Sequence, residues 1–270
     1  MEATRSQKLD VSFSQILYKM NKFLFALVLG IISFKGFGQT SNLSIEKFKK
    51  LYPEQTNVSP YHNSWTQKHF PKRIKEFMEQ PLEFGEIVFI GNSITEGGGD
   101  WSSKFGIKHI RNRGIAGDLS DGVLRRLDEI TYFKPKAVFI LIGINDLFNI
   151  HQLEDNPALK YANTVPSPVF VAKNILKITK EIHRKSPHTK IFVLTLLPTR
   201  RAFLKKDILI LNSHIKQNAT KGFYQLVDLY SVFLDGNGDL EEEFTKDGVH
   251  LNDKGYQKWV AFEKPLLEQL

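Results

Sequence analysis

The chain has 270 residues, 41% of them hydrophobic, which is enough to bury one sizeable core. Its formal charge of +8 comes from 37 basic and 29 acidic side chains spread without a concentrated stripe or a reader motif, which argues against nucleic acid as a partner. It holds no cysteine, so disulfides, cysteine-ligated zinc, a thiol nucleophile and a lipidated N-terminal cysteine are all excluded.

From Met20 the chain reads Met-Asn-Lys, then an apolar run Phe23–Phe34, then Lys35-Gly36-Phe37-Gly38-Gln39. A basic start, an apolar stretch of about 12 residues and small residues beyond it predict a secretory signal, cut before Gln39. The run is shorter than the roughly 20 apolar residues of a membrane span. The mature protein is therefore expected to be periplasmic or secreted, without stable membrane insertion; retention as a signal-anchored protein is the alternative. Met1–Lys19 is polar and long for such a leader, so translation is expected to begin at Met20. Residues 1–38 account for +3 of the charge and leave +5 on the rest.

Residues 39–84 form an irregular N-terminal segment punctuated by Pro53, Pro60, Pro71 and Pro81. Within it, Trp65–Gln80 has helical spacing and is expected to cover one edge of the main domain, residues 85–270. Beyond it the pattern becomes regular. Strands are predicted at Glu86–Ile90, His109–Gly114, Ala137–Ile142, Ile191–Leu197 and Tyr224–Leu229. Helices are predicted at Ser120–Ile130, Val169–Lys185, Lys206–Lys221 and Leu251–Leu270. Strands alternating with helices imply right-handed crossovers and an α/β, three-layer α/β/α sandwich around a mostly parallel five-stranded sheet. Ligands bind such sheets beyond the carboxyl ends of the strands. The first three strands therefore deliver Ser93, Gly117 and Asn145 to one edge.

Four short pieces carry the chemistry: GNSIT at Gly91–Thr95, NRGIAGD at Asn112–Asp118, GIND at Gly143–Asp146 and DGVH at Asp247–His250. Ser93 sits at a strand-to-helix turn and reads equally as a nucleophile or a helix N-cap. Asp247 and His250, three apart, can pair a carboxylate with an imidazole, although an isolated Asp-x-x-His is a common surface pattern. Gly117 lets a backbone N–H approach a ligand, or is a simple turn glycine. Asn145 can offer an amide N–H₂ from a strand-ending turn. Asp118 and Asp146 read as turn or supporting residues rather than a metal pair. His183 and His188, and His62 and His69, lack ligand spacing, so no metal is expected.

Taken together, the four pieces resemble the SGNH subgroup of the GDSL-type esterases and lipases, over roughly Glu86 to the C-terminus. NRGIAGD followed by an amphipathic helix and GIND is most similar to the branch of platelet-activating-factor acetylhydrolase subunits and carbohydrate O-acetylesterases. The resemblance implies a flavodoxin-like fold, a Ser93–His250–Asp247 triad and an oxyanion hole from Ser93, Gly117 and Asn145, with no cofactor. Here Gly-Asp-Ser-Leu becomes Gly91-Asn92-Ser93-Ile94, which keeps the nucleophile and removes the preceding aspartate. The expected activity is hydrolysis of acetyl esters on carbohydrates or sialic acid. A lipase, lysophospholipase or thioesterase is the alternative within the family, and an inactive glycan-binding protein is the alternative outside it. Arg200 is a candidate contact for an acidic sugar, with Arg201 beside it. His151–Pro168 is expected to form a lid or rim beside Asn145.

Overall fold

Strands β1 (Ile87–Gly91), β2 (Ile110–Gly114), β3 (Ala137–Leu141), β4 (Lys190–Leu194) and β5 (Gln225–Val227) form one sheet, in the order β2-β1-β3-β4-β5. Every pairing is parallel. The computed structural model describes residues 45–54, 58–152 and 161–270. The signal and start-site expectations lie outside the described residues. Among the described residues, no helix is long and apolar enough to cross a membrane.

The central strands β1 and β3 are buried at every position. Their apolar runs are unbroken because helices cover both faces of the sheet. Phe89, Phe139 and Phe192 fall in register across β1, β3 and β4. Their rings stack with centroids 4.8 and 4.6 Å apart. Trp101, from the short helix Trp101–Phe105, stacks on Phe89 at 4.8 Å, and Trp259 meets Trp101 edge-on at 4.9 Å. Residues alternating with the phenylalanines face the other side of the pleat, under the remaining helical layer.

The helices, in chain order, are α1 (Ile45–Lys49), α2 (Ser64–Glu79), α3 (Ser93–Glu96), α4 (Trp101–Phe105), α5 (Ser120–Leu124), α6 (Asp128–Phe133), α7 (Ile144–His151), α8 (Pro168–Lys185), α9 (Lys205–Ala219), α10 (Leu229–Val232) and α11 (Asp253–Glu268). The Trp65–Gln80 spacing corresponds to α2, capped by Asn63, whose side chain accepts from Thr66 N–H. It buries Thr66, Phe70, Ile74 and Phe77.

Several boundaries differ from expectation, three of them with a local cause. The Ser120–Ile130 helix is broken into α5 and α6, because the intervening Arg126 turns inward and is fully engaged beneath the strand ends. β4 stops at Leu194; beyond it the Leu196 N–H and C=O pair with the Asn212 side chain instead of a strand. The last helix starts at Asp253, where Asn252 caps it by accepting from Gly255 N–H.

Glu263 in α11 is 1% exposed. Neither carboxylate oxygen has a hydrogen-bond partner among the described residues. Burial pushes its carboxyl up to about 8, with the Trp259 indole a smaller opposing influence. A raised folded-state value means that stability is fully retained below the ordinary 4.5 and is lost as pH rises toward 8. Glu263→Met should therefore raise the thermal midpoint by roughly 2–4 °C more at pH 8 than at pH 4. Melting curves at the two pH values check this; an equal gain at both would contradict it.

Candidate active site

β1 ends at Gly91, where a side chain would lie 2.1 Å from Thr95 Oγ1 and 2.4 Å from the Leu141 carbonyl. Only glycine allows so close a turn. Asn92 then caps α3 by accepting from Ile94 N–H at 3.1 Å, and Ser93 is the first residue of that helix. The first N–H groups of a helix have no partner within it. The nucleophile and cap readings of this turn are thus divided between two neighbours: Asn92 caps, and the Ser93 hydroxyl is directed elsewhere.

Ser93 Oγ lies 2.9 Å from His250 Nε2, across 157 residues of sequence. The other ring nitrogen, Nδ1, lies 2.7 Å from Asp247 Oδ2. Asp247 Oδ1 also accepts from Val249 N–H at 2.9 Å and from His250 N–H at 2.8 Å. Burial pushes the Asp247 carboxyl up, but these backbone hydrogen bonds and the imidazole outweigh it and hold it at about 2. The carboxylate therefore stays ionised far below neutral pH, and it fixes which imidazole nitrogen faces the serine.

The Asp247–His250 turn is braced from beneath. Gly248 has φ +84, and a side chain there would meet Arg200 Cβ at 2.9 Å. Arg200 N–H donates to Gly248 O at 2.8 Å, and Arg201 Nη2 to Asp247 O at 3.0 Å. The Arg200 guanidinium donates to the Leu240 carbonyl at 3.0 Å and lies 3.6 Å from Asp235. Both arginines therefore have positions and partners of their own as supports of this turn.

After β2 the chain reaches Gly117 in the left-handed region, φ +78. A Cβ there would lie 2.2 Å from Thr66 Oγ1 on α2. The next residue, Asp118, is wholly buried and accepts from Arg126 Nε at 2.9 Å. His62 Nε2 lies 3.1 Å from the same carboxylate. Because His62 Nδ1 is buried without a partner among the described residues, the proton belongs on Nε2, donating to Asp118. The Asp118 carbonyl accepts from Asn145 Nδ2 at 2.9 Å, which orients that amide. Asp146 accepts from Ser120 Oγ at 2.6 Å and from Ser120 N–H at 2.9 Å. Burial still pushes its carboxyl up to about 7. Neither aspartate forms part of a metal-ligand cluster among the described residues.

Sequence spacing gave no sign of His62, Thr66 or Arg126. Only the Asn63 cap before α2 signals locally where that helix begins. The neighbouring Tyr161 bridges to Asn63, and Asn149 Nδ2 donates to the Tyr61 and Asn163 carbonyls. Of the expected rim, residues 151–152 and 161–168 are described, and the stretch around Tyr161 and Asn163 is stitched to the segment before α2; residues 153–160 lie outside the described residues. Asn92, Ile94, Ile142, Ile144, Leu196 and Val249 border a narrow, largely apolar slot with room for little more than one water-sized group; Asn92, Ile94 and Val249 adjoin Ser93 and His250 in sequence, but neither the serine nor the histidine lines it.

The model of the GDSL-like Lipase/Acylhydrolase family matches residues 89–258. Platelet-activating factor acetylhydrolase IB subunit alpha2 of Rattus norvegicus is 29% identical over 191 residues, 68% of this chain and 75% of its own. A Streptococcus pneumonia protein described as a platelet activating factor is similar in structure, with TM-score 0.63 and 27% identity over 75% of this chain and 94% of that one. A variant of an acetyl xylan esterase from Geobacillus stearothermophilus shares the fold at TM-score 0.54 and 18% identity, over 68% of this chain and 94% of its own.

His62 and Thr66 precede the matched residues, yet they hold the Gly117–Asp118 turn. Gly117→Ala should cost about 2–4 kcal/mol, combining left-handed strain with the clash against Thr66. Adding Thr66→Ala should recover about 1 kcal/mol or more as coupling between the two sites. Urea unfolding of the four proteins in this cycle measures it, and strict additivity would contradict the contact.

Proposed function

The chain belongs to the GDSL-like Lipase/Acylhydrolase family, and from that premise we propose that it is an exported serine esterase removing acetyl groups from carbohydrates or sialic acid. The observation that carries the esterase reading is the continuous relay Ser93 Oγ–His250 Nε2, 2.9 Å, and His250 Nδ1–Asp247 Oδ2, 2.7 Å, at the carboxyl edge of the sheet.

In the proposed cycle, His250 Nε2 takes the Ser93 proton as Oγ attacks the ester carbonyl. Negative charge moves onto the carbonyl oxygen, which accepts from Ser93 N–H, Gly117 N–H and the second N–H of the Asn145 amide. Each such donor, fixed before the reaction, is worth roughly 10²–10³ in rate. The imidazolium, stabilised by Asp247, gives its proton to the leaving alcohol as the C–O bond breaks. Water then loses a proton to His250, attacks the acyl-serine and releases the acid, returning the proton to Ser93. Every proton is carried by residues of this chain.

Two features favour acetyl over longer acyl groups. Ile94 and Val249, the sequence neighbours of Ser93 and His250, border a narrow slot lined by buried aliphatic side chains. The rat relative is an acetylhydrolase by name, and the Geobacillus fold neighbour is an acetyl xylan esterase by name. A leader at residues 20–38 would bring such an enzyme to acylated glycans outside the cytoplasm. A lipase or thioesterase would need a longer apolar groove, and an inactive binding protein would have no use for a hydroxyl, imidazole and carboxylate in hydrogen-bonded sequence.

Ser93→Ala should abolish hydrolysis of p-nitrophenyl acetate while leaving the circular dichroism spectrum unchanged, and Asp247→Asn should lower kcat by roughly 10⁴. Turnover by folded Ser93→Ala would refute the nucleophile. Acetyl esters should exceed octanoyl esters in kcat/KM by roughly a hundredfold, since extra methylenes cannot enter a packed slot without strain. A preference for octanoyl in the same assay would favour the lipase reading.

A further inference from the structure

We propose that Trp65 and His69 on α2 form a stacking platform for a pyranose ring of the acetylated substrate, beside the reaction centre; this rests on the carbohydrate esterase reading above. Trp65 is 51% exposed, and among the described residues it is the one large exposed apolar side chain on α2. The other large apolar residues of that helix that pack inward, Phe70, Ile74 and Phe77, are buried. Trp65 is therefore not on the packing face, and the core does not explain it.

Its orientation is fixed. Trp65 and His69 are four apart, on one face of the helix, and their rings stack with centroids 4.7 Å apart and planes 20° from parallel. His69 Nε2 lies 3.1 and 3.2 Å from the two Glu96 carboxylate oxygens. Glu96 ends α3, the helix that begins at Ser93, and accepts from Ala116 N–H at 2.6 Å. Ala116 immediately precedes Gly117, and Thr66, next to Trp65, lies against Gly117 itself. The indole is thus tied through one imidazole and one carboxylate to both the serine helix and the Gly117 turn.

A rigid indole with one face on an imidazole presents its remaining surface to solvent. That surface is apolar and carries the negative pole of the ring quadrupole, which suits the weakly positive C–H face of a sugar ring. The surroundings choose between occupants. Ser64, Gln67 and Lys68 around it are exposed, and Glu96 is partly exposed with a carboxylate able to accept from hydroxyls. A lipid surface or a long acyl chain requires a contiguous apolar patch; a single aromatic face ringed by polar groups matches a ring that is apolar on one side and hydroxylated at its rim.

The test compares two acetyl esters on the full-length enzyme and on Trp65→Ala and Trp65→Phe. One is an acetylated xylo-oligosaccharide; the other is vinyl acetate, whose leaving group has no ring to stack. With Trp65→Ala, kcat/KM for the oligosaccharide should fall about tenfold more than for vinyl acetate, and the difference should lie in KM. Trp65→Phe should restore part of the difference, because it keeps an aromatic face. Equal losses on both esters, or no loss on the oligosaccharide, would overturn the platform while leaving the carbohydrate esterase reading intact. If the unaltered enzyme turns over vinyl acetate but releases no acetate from any of a panel of acetylated glycans, the carbohydrate reading fails, and the platform fails with it.

Discussion

The buried ion pair between Arg126 and Asp118 joins two of the three parts of the site. Arg126 Nε donates to Asp118 at 2.9 Å, Nη1 to the Arg113 carbonyl at 2.8 Å and Nη2 to the Gly91 carbonyl at 3.1 Å. One guanidinium thus fixes the end of β1, two residues before Ser93, the end of β2, and the turn that presents Gly117. Planar geometry with several donors makes arginine suited to this task. The pair is too deeply buried to be judged by its attraction alone: removing one partner would strand the other charge, at a cost of about 3–5 kcal/mol. Its structural effect is to make the Ser93 turn and the Gly117 turn a single rigid unit.

The third part of the site is held by different means. Asp247 and His250 are both partly exposed, with side chains 47% and 43% accessible, so burial does little to fix them. Local hydrogen bonds do so instead: the carboxylate caps its own turn, Thr245 Oγ1 donates to His250 O at 2.8 Å, and the Arg200 backbone holds Gly248 O. A carboxyl held near 2 contributes stability that is present above its ordinary value and is lost only as pH falls toward 2. The ionised carboxylate is therefore available throughout the range where a histidine changes charge. Ser93, Gly117 and Asn145 are themselves only partly buried, so the Asp247–His250 turn meets them at a surface open to solvent.

Much of this was legible in the chain. Apolar runs within the predicted strands Ala137–Ile142 and Glu86–Ile90 announce doubly covered strands, and their alternation with helices sets all carboxyl ends at one edge. Ser93, Asn145 and Gly117 could be assigned to that edge from their places after the first three strands. The helix through Ser120–Ile130 could not be read correctly, because a charged Arg126 at an otherwise helical position gives no hint that it is drawn inward by Asp118. Arg200 was legible as a cation placed after β4, but its contacts with the Leu240 carbonyl and Asp235 were not.

The sequence by itself determined the sheet, its parallel sense and the chemical inventory of the site, because periodic burial and turn chemistry are encoded in neighbouring residues. Tertiary structure alone decided which groups meet. The 2.9 Å contact of Ser93 with His250 spans 157 positions, and His62 reaches Asp118 across 56. It also decided that α2, outside the recurrent motifs, closes over Gly117 through Thr66. Such contacts depend on the summed packing of whole elements, and a few ångströms of helix placement, invisible to any local pattern, separate a surface histidine from one within hydrogen-bond distance of a serine.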